Sequence, residues 1–462
     1  MRGLFGRDMV YLAFWGMQIV VAAALTPATT RLMGKTAFGQ AAASIAVMQL
    51  LNSLFSFSLY TAVQRAFPEE GGDDRARHLV TMSIVLSLLT GTVAYATGRW
   101  WCPLVGLGPF PSAIRYAVLW AVMSAITAPA LGLIRSRDNL RGFVAASFAQ
   151  SVFAQALALG LVVVVSATAS EYVLGQLIGE IVTAVIALSI VRPKLPGRQH
   201  LPLLVDALRF SVGLVPAAIA GFVFDASDRI VVNANLGAGA VGRYAVARNL
   251  GGFVLVLLQL VTLVWMPRLF AIADAATRRS VLARSRDGIY ALTVTFAIAI
   301  SAAAPLLLRL WAPESYHPQH LLLVMALVAA CGFPSADAMI YTQALILGAR
   351  TAAVAVISVS VAMLNLALNI VLVPVLGIDG SAAITLACYT LGALITRWWA
   401  GVGGPPTNWR PLVLAVGGVA VCISLAAVPS SGVALAARML IAAAATITFF
   451  ASLRVLVRSG GA

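Results

Sequence analysis

The chain is a succession of apolar runs of about twenty residues, each long enough as a helix to span the ~30 Å hydrocarbon core of a bilayer. They fall near residues 9–29, 40–62, 79–98, 112–134, 143–166 and 171–191, then 208–234, 243–267, 288–310, 320–346, 351–373 and 380–398, with two more at 410–428 and 433–455. Such a pattern predicts an all-α polytopic membrane protein of about 14 transmembrane helices, because an open strand edge in lipid would leave N–H and C=O groups unpaired. Composition agrees: 61% of the 462 residues are hydrophobic and 10% are charged, against roughly 25% charged in a soluble domain. A soluble enzyme, a nucleic-acid-binding domain and a disulfide scaffold are excluded. The first run, from near Met9 to about Pro27, is long for a signal-peptide core and lacks a cleavage site, so it reads as a retained span.

The net charge of +15 is read as orientation rather than nucleic-acid affinity. With a cytoplasmic N-terminus, 22 of the 31 Lys and Arg residues fall in cytoplasmic segments and 8 outside, with Arg229 inside a span. Both termini are therefore expected in the cytoplasm. The longest polar connections, 63–78, 193–207 and 268–287, lie on that same side and are too short for a folded domain. Cys102, Cys331, Cys388 and Cys422 are far apart, and His78, His200, His317 and His320 show no ligand spacing. The loops hold no paired carboxylates, P-loop or Ser/His/Asp set. Neither an enzyme nor an ATP-driven pump is expected, and no metal or cofactor.

An internal repeat is visible. An offset of 203 residues relates Gly34 to Gly237, Gly39 to Gly242, and Arg65-Ala-Phe67 to Arg268-Leu-Phe270. The two copies start six spans apart, an even number, so they share one orientation. That predicts two six-helix lobes, 1–207 and 208–400, related by a pseudo-two-fold along the membrane normal with a cavity between them, and two appended helices in 401–462. The four glycines are expected to act as turns or gating joints.

Polar groups inside spans mark candidate sites. Asp225, Asp228, Arg229 and Asn235 of the seventh run share an arc of about 120° at 100° per residue. They either line a cavity or neutralise one another. Gln49, Asn52, Ser53 and Ser56 make a polar stripe on the second run. Arg248 and Gln259, eleven residues apart in the eighth, would share a face of a straight helix, unless Arg248 snorkels to the interface. Glu180 and Asp337 are candidate proton sites or structural hydrogen-bonding groups.

Three stretches carry a resemblance. Asp228 to Gly237 followed by Val241 to Arg248, Asn365 to Ser381 with Asn369, Pro374, Gly377 and Gly380, and Thr30-Arg31-Leu32-Met33-Gly34 with Phe38-Gly39 resemble the Wzx-type polysaccharide and oligosaccharide flippases of the multidrug/oligosaccharidyl-lipid/polysaccharide exporter superfamily. The resemblance covers nearly the whole chain in helix count and loop placement. It implies a transporter of the bacterial inner membrane that moves undecaprenyl-pyrophosphate-linked oligosaccharide outward by alternating access, for polymers such as O-antigen lipopolysaccharide or exopolysaccharide. It also implies glycosyltransferases and a polymerase as partners, and membrane lipids around a monomer. Tyr244 to Arg248 is similar to a Tyr-x-x-x-Arg-Leu pattern of lipid II flippases, although Asn249 here separates Arg248 from Leu250. In that pattern the arginine meets pyrophosphate, so Arg248 is the leading cargo contact, with Arg229 and Arg31 as further basic groups. A multidrug or cation antiporter, a lipid II flippase, and a membrane-embedded polymerase or ligase are the competing readings.

Overall fold

A computed structural model of the chain describes residues 2–459 except 213, 271, 273, 349, 402, 403, 406 and 407, and every regular element among them is helical. The chain divides into two compact units, Met1–Gly242 and Arg243–Ala462. The first contains α1 (Arg2–Phe55), α2 (Leu59–Ala66), α3 (Gly72–Ala96), α4 (Gly98–Leu104), α5 (Ser112–Ser136), α6 (Leu140–Phe148), α7 (Ala154–Val164), α8 (Ala169–Val191), α9 (Leu201–Val212) and α10 (Val215–Leu236). Helix α11 (Ala238–Gly251) begins at its end. The second continues through α12 (Phe253–Phe270), α13 (Ala275–Trp311), α14 (Leu322–Ala330), α15 (Gly332–Leu347), α16 (Thr351–Ala400), α17 (Trp409–Ala427) and α18 (Gly432–Ser459).

Ten described helices are long and apolar enough to cross a membrane, or eleven if the bent pair α11 and α12 forms one span. The fourteen predicted spans fall on fewer apolar helices for physical reasons. Helices α1 and α16 each hold two of the runs, joined through one non-helical glycine, Gly34 or Gly377. A straight helix the length of α1 would be about 80 Å long, far more than the ~30 Å core, so two passes meet at the glycine. Helix α10 carries Asp225, Asp228 and Arg229, too many charges for it to rank among the apolar helices.

Several predicted spans are not continuous. The second stops at Phe55, where Phe57 and Ser58 adopt positive φ, and resumes as α2. The fifth contains a π-helical turn, Ala149–Phe153, between α6 and α7. The seventh starts only at Val215, because the preceding stretch forms the separate helix α9. The polar connection 193–207 thus contains a helix, and the connection 268–287 is largely the first part of α13. Side chains of 2–20, 217, 263–268, 270, 275, 276 and 455–459 lie outside the described set, and with them those of Arg268 and Phe270 in the sequence repeat.

Helix α5 is the axle of the first unit, packed on α8, α1, α3 and α2. Ala113, Ala117, Ala121 and Ala125, all buried, form a stripe one turn apart that lets neighbouring backbones come close. The contact of α7 with α8 is closer still. A Cβ on Gly175 would lie 2.3 Å from Ala158 Cα, and one on Gly179 would lie 2.5 Å from Ala154 Cα. At one end, Arg137 clamps both carboxylate oxygens of Asp73 (2.6 and 3.0 Å) and donates to Ile190 O, joining α3, α5 and α8.

In the second unit α13 packs on α18, α17, α14 and α15. Pro305 sits inside α13 and has no N–H, so the carbonyl of Ser301 loses its helical donor. Arg438 of α18 replaces it. Its Nη2 donates to Ser301 O (2.8 Å) and its Nε to Ala302 O (3.2 Å). Its Nη1 donates to Leu425 O and Val428 O at the end of α17 (2.7 and 2.8 Å). The side chain is 1% exposed. This arginine, counted from sequence only as an outer charge, ties three helices together. Arg438→Met should lower the stability of the detergent-solubilised protein by about 3 kcal/mol or more, since each orphaned buried acceptor costs ~1–3 kcal/mol. Arg309→Met, at an exposed position, should change it by no more than ~0.5 kcal/mol. Equal thermal unfolding midpoints for the two variants would remove the capping role.

Candidate functional site

The repeat glycines are of two kinds. Gly34 (φ 68°, ψ 169°) and Gly237 (φ 78°, ψ 169°) share almost the same backbone conformation. It is left-handed in φ, and only glycine enters it without strain. Neither has a neighbour within 4 Å of its missing Cβ, so their requirement is conformational. Gly39 and Gly242 are helical and are not turn residues. A Cβ on Gly39 would fall 1.7 Å from Ala238 O, and one on Gly242 would fall 2.1 Å from Lys35 O. The second half of α1 therefore meets the start of α11 backbone to backbone, and the two residues related by the sequence repeat are part of one contact.

The polar set of the seventh run divides. Helix α10 is continuous, so the expected arc exists, but Asp228 and Arg229 are buried while Asp225 and Asn235 are exposed. Asp228 Oδ1 accepts from the Arg229 backbone N–H (2.8 Å), and the Asn235 amide is engaged by Val231 O of its own helix. Asn233 reaches Gly106 O in the loop after α4 (3.0 Å). The four residues do not form one uniform lining. The second-run stripe is interrupted as well. Gln49 is exposed, Ser53 donates to Gln49 O, Asn52 is half-buried, and Ser56 lies beyond the helix end. Arg31 is exposed and donates to Pro27 O, one turn back on α1.

The eighth run corrects the sequence expectation most clearly. It is broken at Gly252, where α11 and α12 meet at 43°, so Arg248 and Gln259 do not share the face of one straight helix. A Cβ on Gly251 would strike Met325 O of α14 at 2.6 Å, so α11 meets α14 there with no room for a side chain. Arg248 is half-buried in the last turn of α11, and Gln259 is exposed on α12.

The two candidate proton sites differ in kind. Glu180 is 3% exposed, and the Gln150 amide, held in the π-helical turn, donates to both carboxylate oxygens at 3.2 Å. Trp120, Ser124 and Thr127 of α5 are further neutral polar groups beside it. Among the described residues no basic group is ion-paired with Glu180. Asp337 instead accepts from Tyr290 and from Arg397 Nη1 (3.3 Å). Arg397 stacks over Tyr341, and close by Arg286 is paired with Asp287, which also accepts from Asn408. Sequence reasoning found the two acids but not these partners, which come from other helices without local pattern.

The Asn365 to Ser381 stretch acts as a hairpin clamp. Gly377 (φ 67°) turns the chain, Ser381 donates to Asn369 Oδ1 (2.7 Å), and the Asn369 amide donates to Asn365 O (2.9 Å). Asn369 and Ser381 are fully buried.

A family model described as polysaccharide biosynthesis protein matches residues 6–273. No curated protein sequence matches the chain. Among solved structures, the lipid II flippase MurJ in an inward closed conformation is similar at a TM-score of 0.67 and 12% identity, over 98% of this chain and 99% of that one. An inward-facing multidrug resistance MATE family transporter of the MOP superfamily is similar at 0.64 and 13% identity, over 85% and 97%. The eukaryotic MATE transporter AtDTX14 gives 0.54 and 10% identity, over 90% and 96%. These likenesses establish the fold.

The glycine contact makes a graded expectation. Gly34→Ala should cost about 1–3 kcal/mol of backbone strain, with little further change from Ala to Val because the site is open. Gly39→Ala should already separate α1 from α11, and Gly39→Val should lower the unfolding midpoint further and abolish transport. Full transport by Gly39→Val with an unchanged midpoint would return the glycine to an ordinary helix position.

Proposed function

The chain belongs to the polysaccharide biosynthesis protein family, within the MOP superfamily of membrane transporters, and from that premise we propose that its cargo is a polyprenyl-pyrophosphate-linked oligosaccharide moved from the inner to the outer leaflet. The observation that carries this reading is the half-buried Arg248, a cation in the last turn of α11 at the bend before Gly252. A guanidinium offers the planar fork that a pyrophosphate accepts. The extent of the fold similarity also favours a flippase over a drug exporter. The lipid II flippase match spans almost all of both chains, whereas the multidrug transporter match leaves uncovered a share of this chain comparable with the two appended helices. The protein acts by alternating access as a monomer in a bacterial inner membrane, with both termini in the cytoplasm. Glycosyltransferases supply the oligosaccharide and a polymerase consumes it.

Coupling falls to Glu180 rather than Asp337. A carboxyl surrounded by neutral donors can gain or lose a proton without breaking an ion pair, whereas Asp337 is committed to Arg397. Proton movement at Glu180 would loosen or tighten the Gln150 contact, and a π-helical turn is a frequent marker of a working site in a helix.

Arg248→Ala should abolish outer-leaflet appearance of the lipid-linked oligosaccharide in cells lacking their own flippase, at normal membrane levels. Arg248→Lys should retain part of the activity. The lost charge-assisted bond, ~1.5–3 kcal/mol, weakens binding roughly 10- to 150-fold. Complementation by Arg248→Ala would sink the assignment, and rescue of a lipid II flippase mutant by the native chain would redirect it to that cargo.

Glu180→Gln should keep the fold while removing the response of transport to a pH gradient. Asp337→Asn should instead lower stability. A pH-gradient response in Glu180→Gln equal to that of the native chain would exclude Glu180 as the proton carrier.

A further inference from the structure

The first unit contains a cavity of about 460 Å³, walled by α2, the start of α3, the turn at 198–200 and α9. The transport reading leaves it unused. Its charges are of both signs. Glu69 and Arg75 are satisfied by each other at 2.6 Å. Among the described residues, Arg65 and Asp206, which also line it, are in no ion pair. Arg65 is nevertheless positioned, with its guanidinium 4.6 Å from the centroid of Phe210. His200 stacks on His78 at 4.0 Å, and its Nδ1 accepts the Gly197 N–H, so the neutral ring carries its proton on Nε2 as a donor.

Beside the cavity, α9 carries an apolar stripe at i, i+4, i+7 and i+11. Leu201, Val205 and Val212 on it are 60%, 48% and 47% exposed. Helix α9 follows one membrane-spanning helix, α8, and leads into α10, so this end of the unit lies where headgroups meet protein. A cation, an anion and an adjacent hydrocarbon-compatible stripe select one class of occupant. An inorganic anion would use Arg65 and be repelled by Asp206. A purely anionic headgroup meets the same repulsion, and a quaternary ammonium has no N–H to donate to a carboxylate.

We propose that this cavity binds a zwitterionic phospholipid with a primary ammonium, its phosphate on Arg65, its ammonium on Asp206 and its chains along the α9 stripe. The site is separate from Arg248 and does not depend on the cargo.

Native mass spectrometry of the purified full-length chain, titrated with phosphatidylethanolamine, phosphatidylglycerol or phosphatidylcholine, tests it. Phosphatidylethanolamine should bind about tenfold more tightly than the other two, as loss of one charge-assisted contact implies. Asp206→Asn should erase its advantage over phosphatidylglycerol. Arg65→Ala should weaken both lipids about tenfold. Both side chains are exposed, so unfolding midpoints should hold and the variants remain readable. Soluble phosphoethanolamine should compete poorly, because it lacks the chains that the stripe covers. Phosphatidylglycerol binding as tightly as phosphatidylethanolamine to the native chain would overturn the proposal. So would variants that leave the ranking untouched, or phosphoethanolamine competing as well as the lipid.

Discussion

Every backbone N–H and C=O that lies in hydrocarbon must find its partner inside the protein, and most of this structure follows from that constraint. It makes every regular element among the described residues helical. It also means that each departure from a straight helix must be compensated nearby. At Pro305 the carbonyl that proline orphans is taken by Arg438 from another helix. At Gly377 the turn is braced by Ser381 and Asn369 bonding across the two arms. At the π-helical turn, the extra residue brings Gln150 onto Glu180.

The second organising force is close packing without a hydrophobic drive. Lipid is as apolar as a leucine side chain, so helices associate through contact and polar bonds. Small residues set how near backbones can come. Alanines on α5 and glycines on α8 build the first unit this way. The contact of Gly39 with Ala238 and Gly242 is the tightest case, because the atoms met are backbone atoms that cannot rotate aside. Packing at that point therefore tolerates no side chain, whatever conformation the helix adopts.

Charges inside the helices serve different ends. Arg137 with Asp73 and Arg397 with Asp337 fasten elements together, and Asp287, paired with its neighbour Arg286, accepts from Asn408 before α17. Where the carboxylate is buried, as at Asp337, such a pair confers geometry more than stability, since desolvation offsets much of its attraction. Glu180 belongs to another class, a buried carboxyl held by neutral donors. Arg65 and Asp206, which line the cavity of the first unit, are a third: opposite charges in no ion pair among the described residues.

How much of this was legible in the sequence depends on the range of the interaction. Apolar runs of membrane length determined the all-helical fold, because lipid solvation is decided residue by residue along one helix. The 203-residue offset picked out Gly34 and Gly237, and these indeed share one backbone conformation, since a left-handed φ is a local property that selects glycine. The sequence could not tell that Gly39 and Gly242 are there for approach rather than for turning, because that depends on a neighbour about 200 positions away. A straight eighth helix would give Arg248 and Gln259 a common face, and the bend at Gly252 removes it. The partners of Glu180 and Asp337, and the α13 carbonyls that Arg438 takes, come from helices 30 to 137 residues distant, with no spacing rule to announce them. Local solvation and backbone conformation were written in the order of residues. Contacts between helices were decided only by packing, because which side chain meets which carbonyl depends on the distance and rotation of two separate axes.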